Sequence, residues 1–400
     1  MWLVKTVRVK AFEPTRVKKQ FMALLLENSR LMNEYLSLMQ AHQTTSKQHL
    51  HLLSYERLTQ ALKLPAAVVQ TARDKAVQIY RSHLAMKKDG PDCKLPCFRM
   101  TTPVRLDRRC FNIIETKNKL TYVAAMSVKG GRVHVPLLGQ RYQYRQLRKI
   151  VAGELKLGSV ELVKRGKDFY FHLAIKKETP DIDPDYSYTP VGVDLGLINL
   201  STSVILKGGR PCNILFQRGG NALEMRKRFA TFRASLSRAG KFRRIRETTG
   251  KERRCMRDIN HKISKSILAQ ANQTEKPIIV MERLTYIRER IHRGKKLNAM
   301  LHSWAFAQLQ EFIAYKAAWA GIPVMYINPK YTSQQCNKCG FTSKANRLGR
   351  SFKCGDCGYE LNADLNAAIN IAKAYKNFAP GYRSGALGAR DSALTLQARA

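Results

Sequence analysis

Acidic side chains are scarce in this 400-residue chain, where 29 Asp and Glu face 71 Lys and Arg and the net charge is +42. A body that basic repels itself unless a polyanion neutralises it, so the shortage of acid points to an anionic partner. The plainer readings of such a balance are a ribosome-type RNA binder or a membrane-surface protein, and composition alone does not exclude the first. Long hydrophobic runs are also missing. Nowhere do about 18 apolar residues follow one another, which excludes a spanning helix, and the opening MWLVKTVRVK lacks the apolar core of an export signal. Nine cysteines, an odd number, do not make a secreted disulfide framework, so a reducing, intracellular setting is expected. The chain contains no H-E-x-x-H, G-x-S-x-G or Walker loop, no internal repeat and no low-complexity tract. What it does have is 44% hydrophobic residues, enough for real cores, in a length that suits two or three domains of about 150 residues each.

Hydrophobic periodicity divides the chain. Val4, Val7 and Val9 alternate with charge and predict an opening strand. From Pro14 the spacing turns helical through Phe21, Leu24, Leu25, Leu31, Met32, Tyr35 and Leu36. The polar stretch 42–51 reads as a loop, and a further helix is expected over Ala66 to Met86. Strands return with Val133–Val135 and with a hairpin around Arg165-Gly166-Lys167-Asp168. Residues 1–13 and 98–178 therefore form one β domain with a helical lobe, 14–97, inserted after its first strand. The proline-rich, locally acidic stretch 179–190 is a linker. A β-meander over 191–216 opens a second body. A basic helical region and a buried strand, 277–281, come next. They lead to an amphipathic helix carrying Leu297, Met300, Leu301, Trp304, Leu309, Phe312 and Ile313, and to a strand over 322–327. A last helix starts near Asn362, and the tail 379–400, rich in Gly, Ala, Ser and Arg, is expected to be disordered.

Three signals carry chemistry. Cys336-x-x-Cys339 and Cys354-x-x-Cys357 are separated by fourteen residues, and each pair is followed by a glycine, Gly340 and Gly358. Four thiolates close the tetrahedral shell of Zn²⁺, leaving no position for substrate, so one structural zinc is predicted. Cys93-x-x-x-Cys97 with Cys110 has no evident fourth ligand and reads as buried thiols. The second signal is three carboxylates. Asp194 lies in the apolar run VGVDLGL, Glu282 ends the strand KPIIVMERL, and Asp364 lies in the first turn of the last helix beside Asn362. Singly each acid reads as structural, Asp364 as a helix cap. Together, on a meander followed by helix and strand, they match an RNase H-like arrangement. Hard oxygen ligands of that kind hold Mg²⁺, and two such ions about 4 Å apart would serve phosphodiester hydrolysis. The third signal is the segment Arg218 to Lys262, where fifteen Lys and Arg outnumber four acids and Phe229, Phe232 and Phe242 are interleaved, a pattern suited to tracking phosphates.

With those residues assembled, the chain resembles the TnpB (OrfB) family of bacterial and archaeal insertion sequences, compact relatives of the type V CRISPR effectors. The resemblance rests on GVDLGL around Asp194, INHKISKSI at 259–267, IIVMERL around Glu282 and SWAFAQLQEFIAYKAAWAG at 303–321. It continues through YTSQQCNKCG at 331–340 and FKCGDCGYELNADLNAAINIA at 352–372, covering nearly all of 190–375. It implies an α+β multidomain protein. A β-barrel wedge domain (1–13, 98–178) would carry an inserted helical recognition lobe (14–97). A RuvC-like nuclease domain (191–329, 361–378) would be interrupted by a zinc ribbon (330–360). It also implies a cytoplasmic, prokaryotic, metal-dependent endodeoxyribonuclease guided by RNA from the transposon end. Such an enzyme would cut double-stranded DNA beside a short flanking motif, with a companion transposase at the same locus as a further partner. Asp194, Glu282 and Asp364 match the family's metal-binding acids, for Mg²⁺ or Mn²⁺, and the four cysteines match its zinc ribbon. Gln70 resembles a motif-reading position whose amide could face adenine edges, or it is a plain solvent-facing glutamine. A guide–target heteroduplex of about 20 base pairs carries roughly 40 phosphates, the same order as the excess charge. The alternatives are a compact CRISPR-associated effector, a binding-only guided repressor or transposition regulator, and an unguided structure-specific nuclease.

Overall fold

The computed structural model describes residues 2–62, 64–90, 93–116, 121–128, 130–178, 187–284 and 306–377. They form two compact units, one made of the described residues within Trp2–Glu178 and the other of those within Thr179–Ala400. The expected tail 379–400 and the linker residues 179–186 lie outside the described residues.

In the first unit a seven-stranded antiparallel sheet combines β1 (Trp2–Ala11), β2 (Val104–Leu106), β3 (Phe111–Glu115), β4 (Tyr122–Val128), β5 (Gly131–Leu138), β6 (Lys156–Arg165) and β7 (Asp168–Glu178) in the order β2-β6-β7-β1-β5-β4-β3. The two edge strands, β2 and β3, are joined by only four residues, 107–110. Laid flat, the edges would stand about 29 Å apart, while that connection reaches about 19 Å at most. The sheet must therefore curl, which gives a barrel-like wall open between β2 and β3. Between β1 and β2 lie the helices α1 (Thr15–Ala41), α2 (Lys47–Leu62) and α3 (Ala66–Asp89). Phe21 of α1 meets Phe169 and Phe171 of β7 edge-on at 5.3 and 6.1 Å, which fixes helix to wall. A partly buried pair, Lys75 Nζ to Glu161 Oε1 at 2.8 Å, ties α3 to β6. The loop expected over 42–51 is too long, because α2 already begins at Lys47. Its polar sequence hides a single buried stripe of Leu50, Ser54 and Leu58, four residues apart, too narrow to register as amphipathic. The helix α4 (Arg141–Val151) was also not expected.

The second unit is built on a five-stranded sheet of β8 (Thr189–Asp194), β9 (Asn199–Lys207), β10 (Arg210–Arg218), β11 (Pro277–Glu282) and β12 (Val324–Ile327), ordered β10-β9-β8-β11-β12. The first three strands form the expected meander, and β8, β11 and β12 run parallel, so their carboxyl ends share one edge. The basic region folds as α5 (Gly220–Arg238), α6 (Phe242–Thr248) and α7 (Lys251–Ala271). One face of the sheet buries Val191, Val193, Ile279 and Met281 under α7 and α8 (Phe306–Ala320). Alternation along each strand turns the neighbouring residues to the other face, where α9 (Ala363–Lys373) packs Ala368, Ile369 and Ile371 against Val204, Ile278 and Val280. Of the expected amphipathic helix, Leu309, Phe312 and Ile313 are buried on α8, while Leu297, Met300, Leu301 and Trp304 lie outside the described residues. A three-stranded sheet, β13 (Arg347–Leu348), β14 (Ser351–Lys353) and β15 (Glu360–Asn362), carries Cys354 and Cys357 between its last two strands, while Cys336 and Cys339 lie within an isolated bridge of Gln335 and Thr342. Among the described residues no helix is long and apolar enough to cross a membrane.

Candidate active site

Register and alternation together place the three acids. Val193 pairs with Met281 in parallel register, so Asp194 and Glu282, one residue further on, leave adjacent strands at the same level. Both turn toward the α9 face, since their neighbours Val193 and Met281 are buried on the opposite one. The start of α9 lies over that face. Asn362 caps it, its Oδ1 accepting from the amides of Asp364 and Leu365 at 3.0 and 3.1 Å, which holds Asp364 in the first turn. α9 can approach this closely because residue 192 is glycine. A Cβ there would come within 2.1 Å of the Ala368 carbonyl oxygen.

Asp194 feels the charge of the other two acids. Burial, then the charges of Glu282 and Asp364, push the Asp194 carboxyl well above the usual carboxylate range, although its side chain keeps partial exposure. Burial also raises Glu282, opposed by the Thr332 hydroxyl that donates to its Oε1 and by the field of Arg347. Asp364 is held on both oxygens, by Arg347 at 2.9 Å and by Asn199 Nδ2 at 2.9 Å. Three acids with one guanidinium beside them are a set of hard oxygen donors with surplus negative charge, which could hold a divalent cation.

The four cysteines converge as their spacing predicts. Their Sγ atoms lie within 4.8 Å of one another, with Cys336–Cys357 at 3.8 Å and Cys339–Cys354 at 3.5 Å. Four sulfurs bound tetrahedrally at about 2.3 Å would sit about 3.8 Å apart, so the cluster fits one zinc ion. Gly340 and Gly358 both take positive φ, +86° and +70°, which lets each knuckle turn back so that its amide reaches the first cysteine's carbonyl. The ribbon is bolted to the acid site. Asn366 and Asn370, one turn apart on α9, donate to the carbonyls of Gln335 and Thr332, and Lys373 reaches that of Asn337. Arg347 and Thr332 then hold Asp364 and Glu282 directly.

Gln70 lies in the other unit. Its Oε1 accepts from Arg109 Nη1 at 2.8 Å, and Asp107 in turn holds that guanidinium at 2.6 Å, so this amide is engaged and not simply solvated. Cys93, Cys97 and Cys110 do not behave alike as buried thiols. Cys110 is buried, and burial pushes its thiol up to about 11, whereas Cys97 is exposed and Cys93 Sγ rests 3.4 Å from His83 Nδ1. In the basic segment all four acids, Glu224, Glu247, Glu252 and Asp258, are already paired with arginine or lysine, so the excess charge remains on a surface where Phe232 and Phe242 are exposed.

Sequence reasoning missed Gly192, Asn199, Thr332, Arg347, Asn366 and Asn370. A glycine inside a buried apolar strand was a readable sign of close backbone approach, and two asparagines one turn apart on an otherwise apolar helix were a sign of buried carbonyl partners. Arg347 and Thr332 carried no local signal.

The second unit thus sets acids at the carboxyl edge of parallel strands beside a four-cysteine cluster on a mixed α/β fold. Residues 306–371 match the family model described as Cas12f1-like, TNB domain. The chain is 27% identical over 354 residues, 81% of each protein, to a CRISPR-associated endodeoxyribonuclease Cas12f1 of Sulfoacidibacillus thermotolerans. It is 29% identical over 247 residues to a TnpB-like protein of Aquifex aeolicus, covering 57% of this chain and 81% of that one. In fold it matches the Cas12f1 of a Cas12f1–sgRNA–target DNA complex with a TM-score of 0.62 and 17% identity, over 90% of this chain and 83% of that one. The chain is thus a homologue of TnpB-like proteins and Cas12f nucleases.

Proposed function

We propose that this protein is an RNA-guided DNA endonuclease of an insertion sequence, cutting with one RuvC-like site formed by Asp194, Glu282 and Asp364. What supports the reading is that Asp194 and Glu282 leave β8 and β11 at the same level, on the face over which α9 begins with Asp364. So much like charge, partly desolvated and balanced by one arginine, is costly unless a cation is its working partner. The sheet order, a three-strand meander followed by two strands parallel to its first, supports an RNase H-like domain. When bound, Mg²⁺ or Mn²⁺, two ions in this reading, would supply an activated water and stabilise charge on the leaving oxygen. The chain's own part is positional. Thr332 and Gln310, which donates to the Glu282 carbonyl at 2.7 Å, fix Glu282, and Asn199 and Arg347 fix Asp364.

The curled sheet then serves as a wedge domain, helices α1–α3 as the recognition lobe, and residues 330–360 as a zinc ribbon holding structural Zn²⁺. Guide RNA from the transposon end supplies sequence choice by base pairing, double-stranded DNA with a flanking motif is the target, and the basic surface holds phosphates. Gln70, held by Arg109, is a candidate motif reader. One observation favours a second reading, a CRISPR-associated effector: the Cas12f1 relative matches this chain over 81% of both lengths.

The test is expression with native flanking DNA, sequencing of the RNA that co-purifies, and cleavage assays programmed with it. Transposon-end RNA with Mg²⁺-dependent cleavage lost in Asp194→Ala, while guide and target binding persist, is the expected result. Repeat–spacer RNA would select the second reading. Cleavage surviving in the variant would remove Asp194 from the active site.

A further inference from the structure

Between β12 and the first cysteine the chain does something locally unfavourable. Tyr331 takes φ +68°, the left-handed region that bulky side chains avoid. Its carbonyl oxygen accepts from the amides of Gln334 and Gln335, both at 2.9 Å, so a tight turn is needed here. Glycine or asparagine would make that turn with less strain. The tyrosine side chain does not repay the strain by packing, since it is 50% exposed and belongs to none of the hydrophobic clusters formed by the described residues of its unit. Strain kept for an exposed aromatic ring is a mark of use rather than of folding.

Its location says what use. Glu282 pairs with Ile327, so β12 ends at the same edge as the acids, and Tyr331 follows four residues later. The next residue, Thr332, is buried and donates to the Glu282 carboxylate. Tyr331 therefore stands on the rim of the acid cluster, turned outward where its neighbour turns in. Lys330 is exposed and sets its ammonium 4.9 Å from the centre of the tyrosine ring. An aromatic face with a cation beside it offers a stacking surface for a nucleobase and a counter-charge for that nucleotide's phosphate. A paired base within a duplex has both faces covered by its neighbours, so only an unpaired base can use such a ring.

We propose that Tyr331 stacks on an unpaired base of the strand being cut, with Lys330 on the adjoining phosphate, and so positions that strand over the acids. This rests on the nuclease reading above. The experiment uses full-length protein with its co-purified RNA, as wild type, Tyr331→Gly and Tyr331→Phe. Single-stranded DNA carrying 4-thiothymidine is crosslinked with Ca²⁺ in place of Mg²⁺, and the adducts are mapped by mass spectrometry. Cleavage rate, Mg²⁺ midpoint and unfolding temperature are measured in parallel. The expected result is a crosslink at Tyr331, a rate about tenfold lower in Tyr331→Gly with its Mg²⁺ midpoint unchanged and its unfolding temperature equal or higher, and near-normal cutting by Tyr331→Phe. Wild-type cutting by Tyr331→Gly overturns the proposal, as does a lower rate accompanied by lost Mg²⁺ affinity or lost stability, which would make the residue structural. A wild-type protein that crosslinks at Tyr331 but never cuts would keep the stacking site and remove the nuclease reading. One that cuts without crosslinking there would do the reverse.

Discussion

Adding one methyl group at Gly192 tests whether the spacing between β8 and α9 sets the active site. An alanine Cβ at that position would lie 2.1 Å from the Ala368 carbonyl oxygen, 2.7 Å from the Ala372 amide nitrogen and 2.8 Å from the Ala372 Cβ. Two of these are helix backbone atoms, so no rotamer change relieves them. The nearest contact is 1.3 Å short of the 3.4 Å at which ordinary contact begins, and α9 must move away from the sheet by about that much. Overpacking of this kind costs about 1–3 kcal/mol, or several degrees in unfolding temperature for a unit of this size. The larger effect falls on chemistry. α9 carries Asp364 while β8 carries Asp194, and misplacement by about 1 Å costs on the order of a hundredfold in rate. The assay is single-turnover DNA cleavage at saturating guide, with a Mg²⁺ titration and thermal unfolding of Gly192→Ala. Gly220→Ala is the control, because a Cβ there meets nothing within 4 Å. Gly192→Ala should be folded, about a hundredfold slower and right-shifted in Mg²⁺, with Gly220→Ala unchanged. A Gly192→Ala protein with wild-type rate and Mg²⁺ midpoint would show that the α9–sheet spacing does not hold the acids together.

Removing zinc should damage more than the ribbon. Cys354→Ser is expected to lose the bound ion, measured by metal analysis, and to lower both folded yield and unfolding temperature, because structural zinc contributes folding energy. A well-folded, zinc-free, active variant would contradict this. A pH dependence follows from the raised acids. A carboxyl raised on folding favours the fold while protonated, so its contribution is full below about pH 4 and is lost as pH rises through the folded-state value. Mg²⁺ must displace those protons. The rise in unfolding temperature on adding Mg²⁺ should therefore be smallest at the acid end and grow as pH rises through the raised folded-state values in wild type, while staying flat in Asp194→Asn. An equal Mg²⁺ effect at both ends would show that the carboxyls are not its ligands.

What the sequence determined by itself was whatever local chemistry enforces. Thiolate pairs two residues apart followed by glycine make a knuckle wherever they occur, and Cys336, Cys339, Cys354 and Cys357 meet accordingly. Alternation and turn residues set the β8–β10 meander and the β6–β7 hairpin, and Asn362 marked the start of α9. Asp194 and Glu282 could be singled out because a carboxylate in or at the end of an apolar strand demands compensation. Helix α2 escaped, since a stripe one residue wide is invisible among polar neighbours. The tertiary structure alone decided that β8 and β11 lie side by side in register, which brings Asp194 level with Glu282 across 88 positions of chain. It also decided that Thr332 and Arg347, ordinary residues in a ribbon, hold those acids in place. Residues far apart in sequence acquire such roles only when the chain folds them into contact, and no spacing rule within a segment encodes which distant partner will be there.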